Sequence, residues 1–431
     1  MATGSSPSTE QIIAAVDALH DEAVAMLADL VRFGSTLGNE TAAQDFMADA
    51  FAKLGLSVDR FEIDINTIKD QPGFSPVDWS YDDKVNVVAT HQARGNTGRS
   101  LILNGHIDVV PTGPEDMWTD PPFEPVVRDG KLYGRGGGDM KAGLICNLMA
   151  FKALQSLGVQ PAAPVYLQSV VEEECTGNGA LACLARGYTA DAAIIPEPFD
   201  HSLMTAQMGV MWFRVLVRGK PAHVLDTSAG INAIEGAFHL VQALKKLEEA
   251  WNADDVRHPA YEGFTHPVNF NLGVINGGEW ASSVPTECSF GMRVGFFPGV
   301  GTEEVRSAIT ECIAEAANEH PGMKDTAPKI SFYGFQAEGC TVDPNGEMMT
   351  TLAEVHERVA GARPAHRATT ATTDARFFNL YGKIPATCYG PKADSIHGID
   401  ESVDLDSMRT VTRVLAAFMA EWCGLEPVAE D

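Results

Sequence analysis

The sequence predicts an α/β chain built on a mostly parallel sheet, interrupted by an inserted α+β unit. Three observations carry this prediction. Apolar strand runs alternate with helical stretches through the first half of the chain. Near residue 208 the order changes to β-α-β-β-α-β, a unit that folds by itself. Each candidate ligand stands just after a strand run, where open α/β sheets gather their ligands. A length of 431 residues favours two domains, and 45% hydrophobic content is enough for both cores. The expected boundaries are 1–207 and 337–431 for a split first domain, with 208–336 inserted.

Ile12, Ile13, Val16, Leu19, Ala23, Leu27 and Leu30 recur at helical spacing over residues 8–32, and 39–54 repeat the habit after a glycine turn. A strand at 56–63 leads into a polar excursion over 66–84 that carries Pro and Trp. It is longer than a connector needs; such loops are often functional, with a surface ornament as the plain alternative. Strands follow at 85–90 and 101–104, then a helix over 140–157, a strand over 165–171, a helix over 177–186 and a strand over 192–195. The inserted unit opens with an alternating strand at 209–219 and a helix at 231–251. Strands at 270–275 and 289–294, a helix at 302–317 and a strand at 329–335 complete it. The chain returns with a helix at 347–359, the segment 368–380, a strand at 384–389 and a closing helix at 407–422.

The chemistry concentrates between Leu101 and Gly143. An apolar run ends in His106-Ile107-Asp108, and strand alternation turns both polar side chains the same way. The pair reads as a metal ligand and its orienter, because a ligating imidazole usually donates its second N–H to a carboxylate. A glycine-rich turn, Gly134 to Gly138, then delivers Asp139 as a bridging ligand at the mouth of an apolar helix. Taken singly, a histidine at a strand end is more often structural, and such a turn can cradle phosphate. The phosphate and dinucleotide motifs themselves are missing: Lys141 is followed by Ala142, and no G-x-G-x-x-G opens a helix. The next strand ends in Glu172-Glu173-Glu174, carboxylates that repel one another unless cations sit among them or the loop is solvated. Pro196 and Pro198 stiffen Glu197 at a further strand tip, and His397 follows Ser395-Ile396 shortly before Asp400 and Glu401. Neither H-E-x-x-H nor G-x-S-x-G occurs, so thermolysin-like and serine-hydrolase chemistries drop out.

HIDVVP followed by GRGGGDMKAG resembles the M20 family of metallopeptidases and amidohydrolases, most like its acetylornithine deacetylase and succinyl-diaminopimelate desuccinylase branch. The resemblance covers nearly the whole chain. It implies a zinc-exopeptidase-like catalytic domain and makes the inserted unit a lid and dimerisation domain. It places His106, Asp139 and Glu197 on one metal, and Asp139, Glu174 and His397 on the other. Two Zn2+ per subunit suit that donor set, with Co2+ or Mn2+ as replacements. Glu173 becomes the general base, while Glu172 stands where Asp is usual. His223, in Gly219-Lys220-Pro221-Ala222-His223, becomes the imidazole that reaches the other subunit's site to stabilise the oxyanion, which implies a homodimer. An exposed histidine is its plain alternative. Arg293 and Arg376 resemble binders of a substrate carboxylate, with ordinary ion pairs as the alternative. Ser282-Ser283-Val284-Pro285 replaces the usual Asn-x-Val-Pro, and Gly137-Gly138 stand where a bulkier pair is common.

The implied reaction is metal-assisted hydrolysis of the amide bond of a small N-acyl amino acid. A dipeptidase or carboxypeptidase, or deformylation of an N-formyl aminopyrimidine, are the alternatives within the family. A binding protein without turnover is the reading from another class, and it has no use for Glu173 beside a full ligand set. A net charge of −27 disfavours nucleic acid and anionic membrane as partners. The N-terminal stretch has neither the basic start nor the apolar core of a signal peptide. No window approaches the ~20 apolar residues of a membrane span. Eight scattered cysteines fit reduced thiols, so a cytoplasmic enzyme with a small-molecule substrate is expected.

Overall fold

Two apolar cores organise the chain. A computed structural model describes residues 6–95, 97–324 and 326–428, so the first five residues of the N-terminal stretch lie outside the described residues. The larger core takes its side chains from Ile12 through Leu203 and again from Met348 through Cys423. The smaller runs from Ala206 to Met323.

Helix α1 (Thr9–Ala18) starts at a capping box in which Ser8 and Gln11 satisfy each other's backbone N–H. The apolar period that predicts one helix over 8–32 is shared by two: the chain breaks at Leu19 (φ −97°, ψ 0°) and resumes as α2 (His20–Val31). Helix α3 (Thr41–Lys53) precedes β1 (Ser57–Glu62). Strands β2 (Val85–His91) and β3 (Leu101–His106) follow, then helix α4 (Ala142–Ser156), which is buried along most of its length as a core helix is. Strand β4 (Val165–Val170), helix α5 (Asn178–Ala185) and strand β5 (Ala192–Ile195) complete the first pass.

In the inserted unit, β6 (Gly209–Arg218), α6 (Ala233–Trp251), β7 (Phe270–Gly277), β8 (Glu287–Phe296), α7 (Thr302–Glu319) and β9 (Lys329–Ala337) follow the β-α-β-β-α-β order. Its four strands lie antiparallel in the order β7-β8-β6-β9. Helix α8 (Glu347–Ala360), strand β10 (Ala386–Cys388) and helix α9 (Leu405–Cys423) return to the large core. There the sheet order is β1-β2-β4-β3-β5-β10, and β2 alone runs against the others. A mostly parallel sheet is therefore what the alternating pattern builds.

Smaller strands carry no apolar period long enough to announce them. Leu203–Gln207 pairs with Cys340–Thr341 and His366–Thr369, and the hairpin Val126–Arg128/Lys131–Tyr133 joins Ser402–Asp404. The excursion over 66–84 straps the two units together. Pro76 O accepts from Gly334 N at 2.7 Å and Ser75 Oγ from Gln336 N at 3.1 Å, both on β9. Asn178 grips the same segment, accepting from Ser75 N and donating to Ser75 O. All eight cysteines are unpaired thiols, and no helix among the described residues is long and apolar enough to cross a membrane.

Candidate metal centre and substrate cleft

Five side chains meet beyond the carboxyl ends of the parallel strands. His106 closes β3, Glu174 follows β4, Glu197 follows β5, Asp139 ends the glycine-rich turn before α4, and His397 comes from the loop after β10. His106 Nε2 stands 3.2 Å from Asp139 Oδ1 and 3.6 Å from Glu197 Oε1. The other oxygen, Asp139 Oδ2, stands 3.3 Å from His397 Nε2, which is also 3.1 Å from Glu174 Oε2. Asp139 thus turns one oxygen to each imidazole, the disposition of a bridging carboxylate. Glu173 shares the first wall, with Oε2 3.8 Å from His106 Nε2.

These residues fit a pair of cations. Two overlapping donor groups, His106 with Glu173 and Glu197, and His106 with Asp139 and Glu174, each converge within 4.8 Å. Glu197 Oε1 is buried and has no hydrogen-bond partner, a cost that a cation removes. Burial pushes Glu173, Glu174 and Glu197 up, and neighbouring carboxylates push each further. Burial alone disfavours charge on His106 and His397, yet the surrounding carboxylates outweigh it: His106 is held well above the usual histidine range and His397 is raised to about 11. The carboxylate field that raises both imidazoles also favours cations.

The support around these groups corrects one expectation. Asp108 does not orient His106 through its side chain, which lies 3.7 Å from Nδ1; His106 Nδ1 faces the Asp108 backbone carbonyl at 2.9 Å instead. The Asp108 carboxylate accepts from the amides of Glu173 and Glu174, at 3.2 and 3.1 Å. Strand geometry explains the difference, because the chain leaves β3 at His106 and the side-chain alternation stops there. Glu401 plays the matching part for Asp139: its Oε1 accepts from Gly138 N and Asp139 N, while Oε2 pairs with buried Arg135 at 2.5 Å. Arg135 also donates to Gly398 O, next to His397.

Two cavities meet at Glu174 and His397. One, of about 350 Å3, is lined by Asp139, Glu173, Glu197, Phe199, Arg293 and the 370–373 segment. Arg293 is its sole Lys or Arg side chain, anchored through Nη2 to Thr370 O. The other, of about 660 Å3, opens on the far side toward Trp79 and Trp212. Arg376 reaches neither cavity. Its guanidinium is fully buried over Phe377 and donates to Thr373 O and Thr176 O at 3.0 and 2.7 Å, so it braces the loop after β4 rather than meeting a substrate carboxylate. His223 is exposed on the inserted unit and lines neither cavity. Its Nδ1 accepts from Leu225 N at 3.0 Å, which leaves the proton on Nε2.

Sequence reasoning missed Arg135, Trp79, Tyr81 and Trp212. The signal for the aromatic pair lay in Glu172. One methylene longer than Asp, its buried carboxylate accepts from Trp79 Nε1 at 2.7 Å and Tyr81 OH at 2.6 Å.

A family model described as peptidase family M20/M25/M40 matches residues 102–421. The chain is 29% identical to an N-formyl-4-amino-5-aminomethyl-2-methylpyrimidine deformylase of Halalkalibacterium halodurans, over 96% of this chain and 98% of the relative. It is 26% identical to a succinyl-diaminopimelate desuccinylase of Methylobacillus flagellatus, over 88% and 94%. Among solved structures, the di-peptidase Dug1p of Saccharomyces cerevisiae superposes with a TM-score of 0.77 at 14% identity, over 97% of this chain and 99% of that one, which shows a shared fold. With the family model matching well over half of its length, the chain belongs to peptidase family M20/M25/M40.

Proposed function

We propose that this protein is a metal-dependent amidohydrolase that cleaves the linear amide bond of a small N-acyl amine or N-acyl amino acid. The observation that carries the reading is the division of Asp139 between His106 and His397, with Glu197 and Glu174 completing two adjacent donor sets. Two Zn2+ are the assigned ions, and Co2+ or Mn2+ would suit the same donors. Bound there, they would polarise the scissile carbonyl and acidify a water.

Glu173 takes the proton of the attacking water and returns it to the amine nitrogen as the C–N bond breaks. Its carboxylate stands at the edge of the donor cluster, 3.8 Å from His106 Nε2. Asp108 fixes the backbone of Glu173, and Arg293 offers the cleft's cation to an acyl oxygen or a carboxylate. Residues 208–336 act as the lid and join two copies, with His223 serving the partner's site. The eight unpaired thiols support a cytoplasmic location.

Deformylation of an aminopyrimidine is the second reading. It is favoured by the named deformylase relative, which matches end to end, and by the paired tryptophans beside the metal centre.

The test is metal content measured beside hydrolysis of N-acetyl, N-succinyl and N-formyl amino acids, dipeptides, folate-like glutamates and a formylaminopyrimidine. About two zinc ions per subunit and one preferred substrate are expected. Glu173→Gln should lower kcat by about 10²- to 10⁴-fold while the metal content stays at the wild-type level. Protein that binds no divalent metal would overturn the assignment of the five donors.

A further inference from the structure

The cavity of about 660 Å3 beside the metal centre has a chemistry unlike the lobe that holds Arg293. Its walls include Leu37, Trp79, Val109, Pro111, Phe123 and Trp212. Asp108, Glu115 and Glu174 also line it, and it has no Lys or Arg. An anionic group entering it would be desolvated among carboxylates with no cation to meet it. A flat apolar ring would gain area and stacking on the indoles.

Both rings are fixed before any ligand arrives. Trp79 is held by its Nε1–H to the buried Glu172 carboxylate at 2.7 Å, and Tyr81 OH holds the same carboxylate at 2.6 Å. Lys84 Nζ lies 3.8 Å from Glu172 Oε1, the oxygen that Trp79 holds, and 2.5 Å from Glu40, so that carboxylate also has a cation beside it. Trp212 stands edge-on to Phe335 at 5.3 Å and to Tyr333 at 6.1 Å. Trp79 belongs to the excursion over 66–84 and Trp212 to β6 of the inserted unit. The bonds that Pro76 O and Ser75 Oγ accept from β9 amides tie those two walls together. Rigid aromatic walls lose little entropy on binding, which makes them selective rather than merely greasy.

We propose that this cavity is the specificity pocket for a planar, uncharged or cationic aryl or heteroaryl group carried one or two bonds from the scissile amide, received by Trp79 and Trp212. The assignment rests on the amidohydrolase reading above and narrows its substrate. Glu174 and His397 line both cavities, so an amide seated over the metal donors extends one end into each. A ring that carries amino or ring N–H groups also finds Glu115 as an acceptor in the same wall.

The experiment is calorimetric binding to the zinc-loaded Glu173→Gln protein, with kcat/KM measured on the active form. N-formylbenzylamine puts the ring on the amine side, N-methylphenylacetamide puts it on the acyl side, and N-formylbutylamine and N-formylglycine lack it. One ring-bearing amide should bind at least about tenfold tighter than N-formylbutylamine, and which one it is names the side that enters the pocket. Trp79→Ala and Trp212→Ala should each remove most of that preference, weakening the ring-bearing amide far more than N-formylbutylamine. Trp79→Phe should keep it in large part, and so should Tyr81→Phe, which removes one bond to Glu172 Oε2 while Trp79 stays bonded to Oε1. Equal affinity for ring and alkyl amides overturns the pocket, as do tryptophan variants that weaken every ligand alike. If ring preference and its loss in the alanine variants stand while no amide is cleaved, the pocket is supported and the hydrolase reading falls. Cleavage of all four amides without ring preference does the reverse.

Discussion

Asp108 serves the centre through two backbone amides, so its loss should disturb Glu173 and Glu174 rather than His106. Asp108→Asn keeps the size but turns an N–H donor toward one of those amides. Turnover should fall by about 10- to 100-fold, with His106 still clamped by the backbone carbonyl. Unchanged kcat with full metal content would show that the loop holds itself. A second residue sets an acid limit on stability. His356 is buried against Tyr389, with Nδ1 2.7 Å from the hydroxyl, and burial together with the nearby His201 pulls its pKa down to about 4. The unfolded chain therefore takes up this proton first, near pH 6.5, and the folded one only near 4. Its contribution is whole above pH 6.5, declines as pH falls through that window and levels off below about 4. At pH 5 the loss is about 1–2 kcal/mol after allowance for screening by solvent. Urea midpoints at pH 7.5 and 5.0 should accordingly differ less in His356→Gln than in the wild type. Of the five proposed donors, His106, Glu174 and Glu197 were legible in the sequence because each stands at or just after an apolar strand run, Asp139 because a glycine-rich turn leads to it, and His397 through the family resemblance. Arg376 was misread because nothing in Thr373-Asp374-Ala375-Arg376 reveals that the guanidinium is sealed over Phe377. Gly138 shows the converse. A Cβ there would stand 2.6 Å from the Ala393 Cβ, a reason for glycine that only the packed structure contains.

Between elements, the spacing of the donors depends on backbones that touch. A Cβ on Gly143, in the first turn of α4, would come within 2.3 Å of Pro196 O, directly before Glu197. One on Gly390 would meet Glu197 O at 2.2 Å. The turn that carries Asp139, the tip of β5 and the exit from β10 are thus set by close approach at two glycines. Gly143→Ala must push α4 away from β5, so about 1–3 kcal/mol of stability should be lost by overpacking. Zinc affinity should fall with it, because Asp139 rides on the turn before α4 and Glu197 on the tip of β5. A thermal scan and a metal titration on the same sample check this, and undiminished zinc affinity in a destabilised variant would uncouple the helix from the centre. The long elements were legible in the sequence because buried strands and helices repeat an apolar period. The break at Leu19 was not, since a kink of one residue leaves that period nearly in phase. Nor was the role of the 66–84 strap, whose hold on β9 and α5 is made by Ser75, Pro76 and Asn178 in no periodic pattern.

For the molecule as a whole, the two edges of the inserted sheet are treated differently. Edge strand β9 is covered by the strap from the first domain, whereas β7 exposes its backbone and Val274, which is 56% exposed. Leu225 and Trp280 are also open on this unit, at 90% and 73%. An open apolar edge is a liability in a lone chain and an asset in an assembly. A second copy is the partner our functional reading requires, because His223 lines neither of the two cavities at the metal centre of its own chain. Its proton on Nε2 makes it a donor suited to an oxyanion. Complementation tests this directly. Glu173→Gln and His223→Ala homodimers should each be nearly inactive. In a mixed dimer, the site with an intact Glu173 receives an intact His223 from its partner. Random exchange makes half of the dimers mixed, each with one complete site, so activity should return to about a quarter of the wild-type value. If His223 acts within its own chain, the Glu173→Gln subunit lacks its base and the His223→Ala subunit its imidazole, whatever the partner. Mixing then restores nothing, although sedimentation still reports dimers.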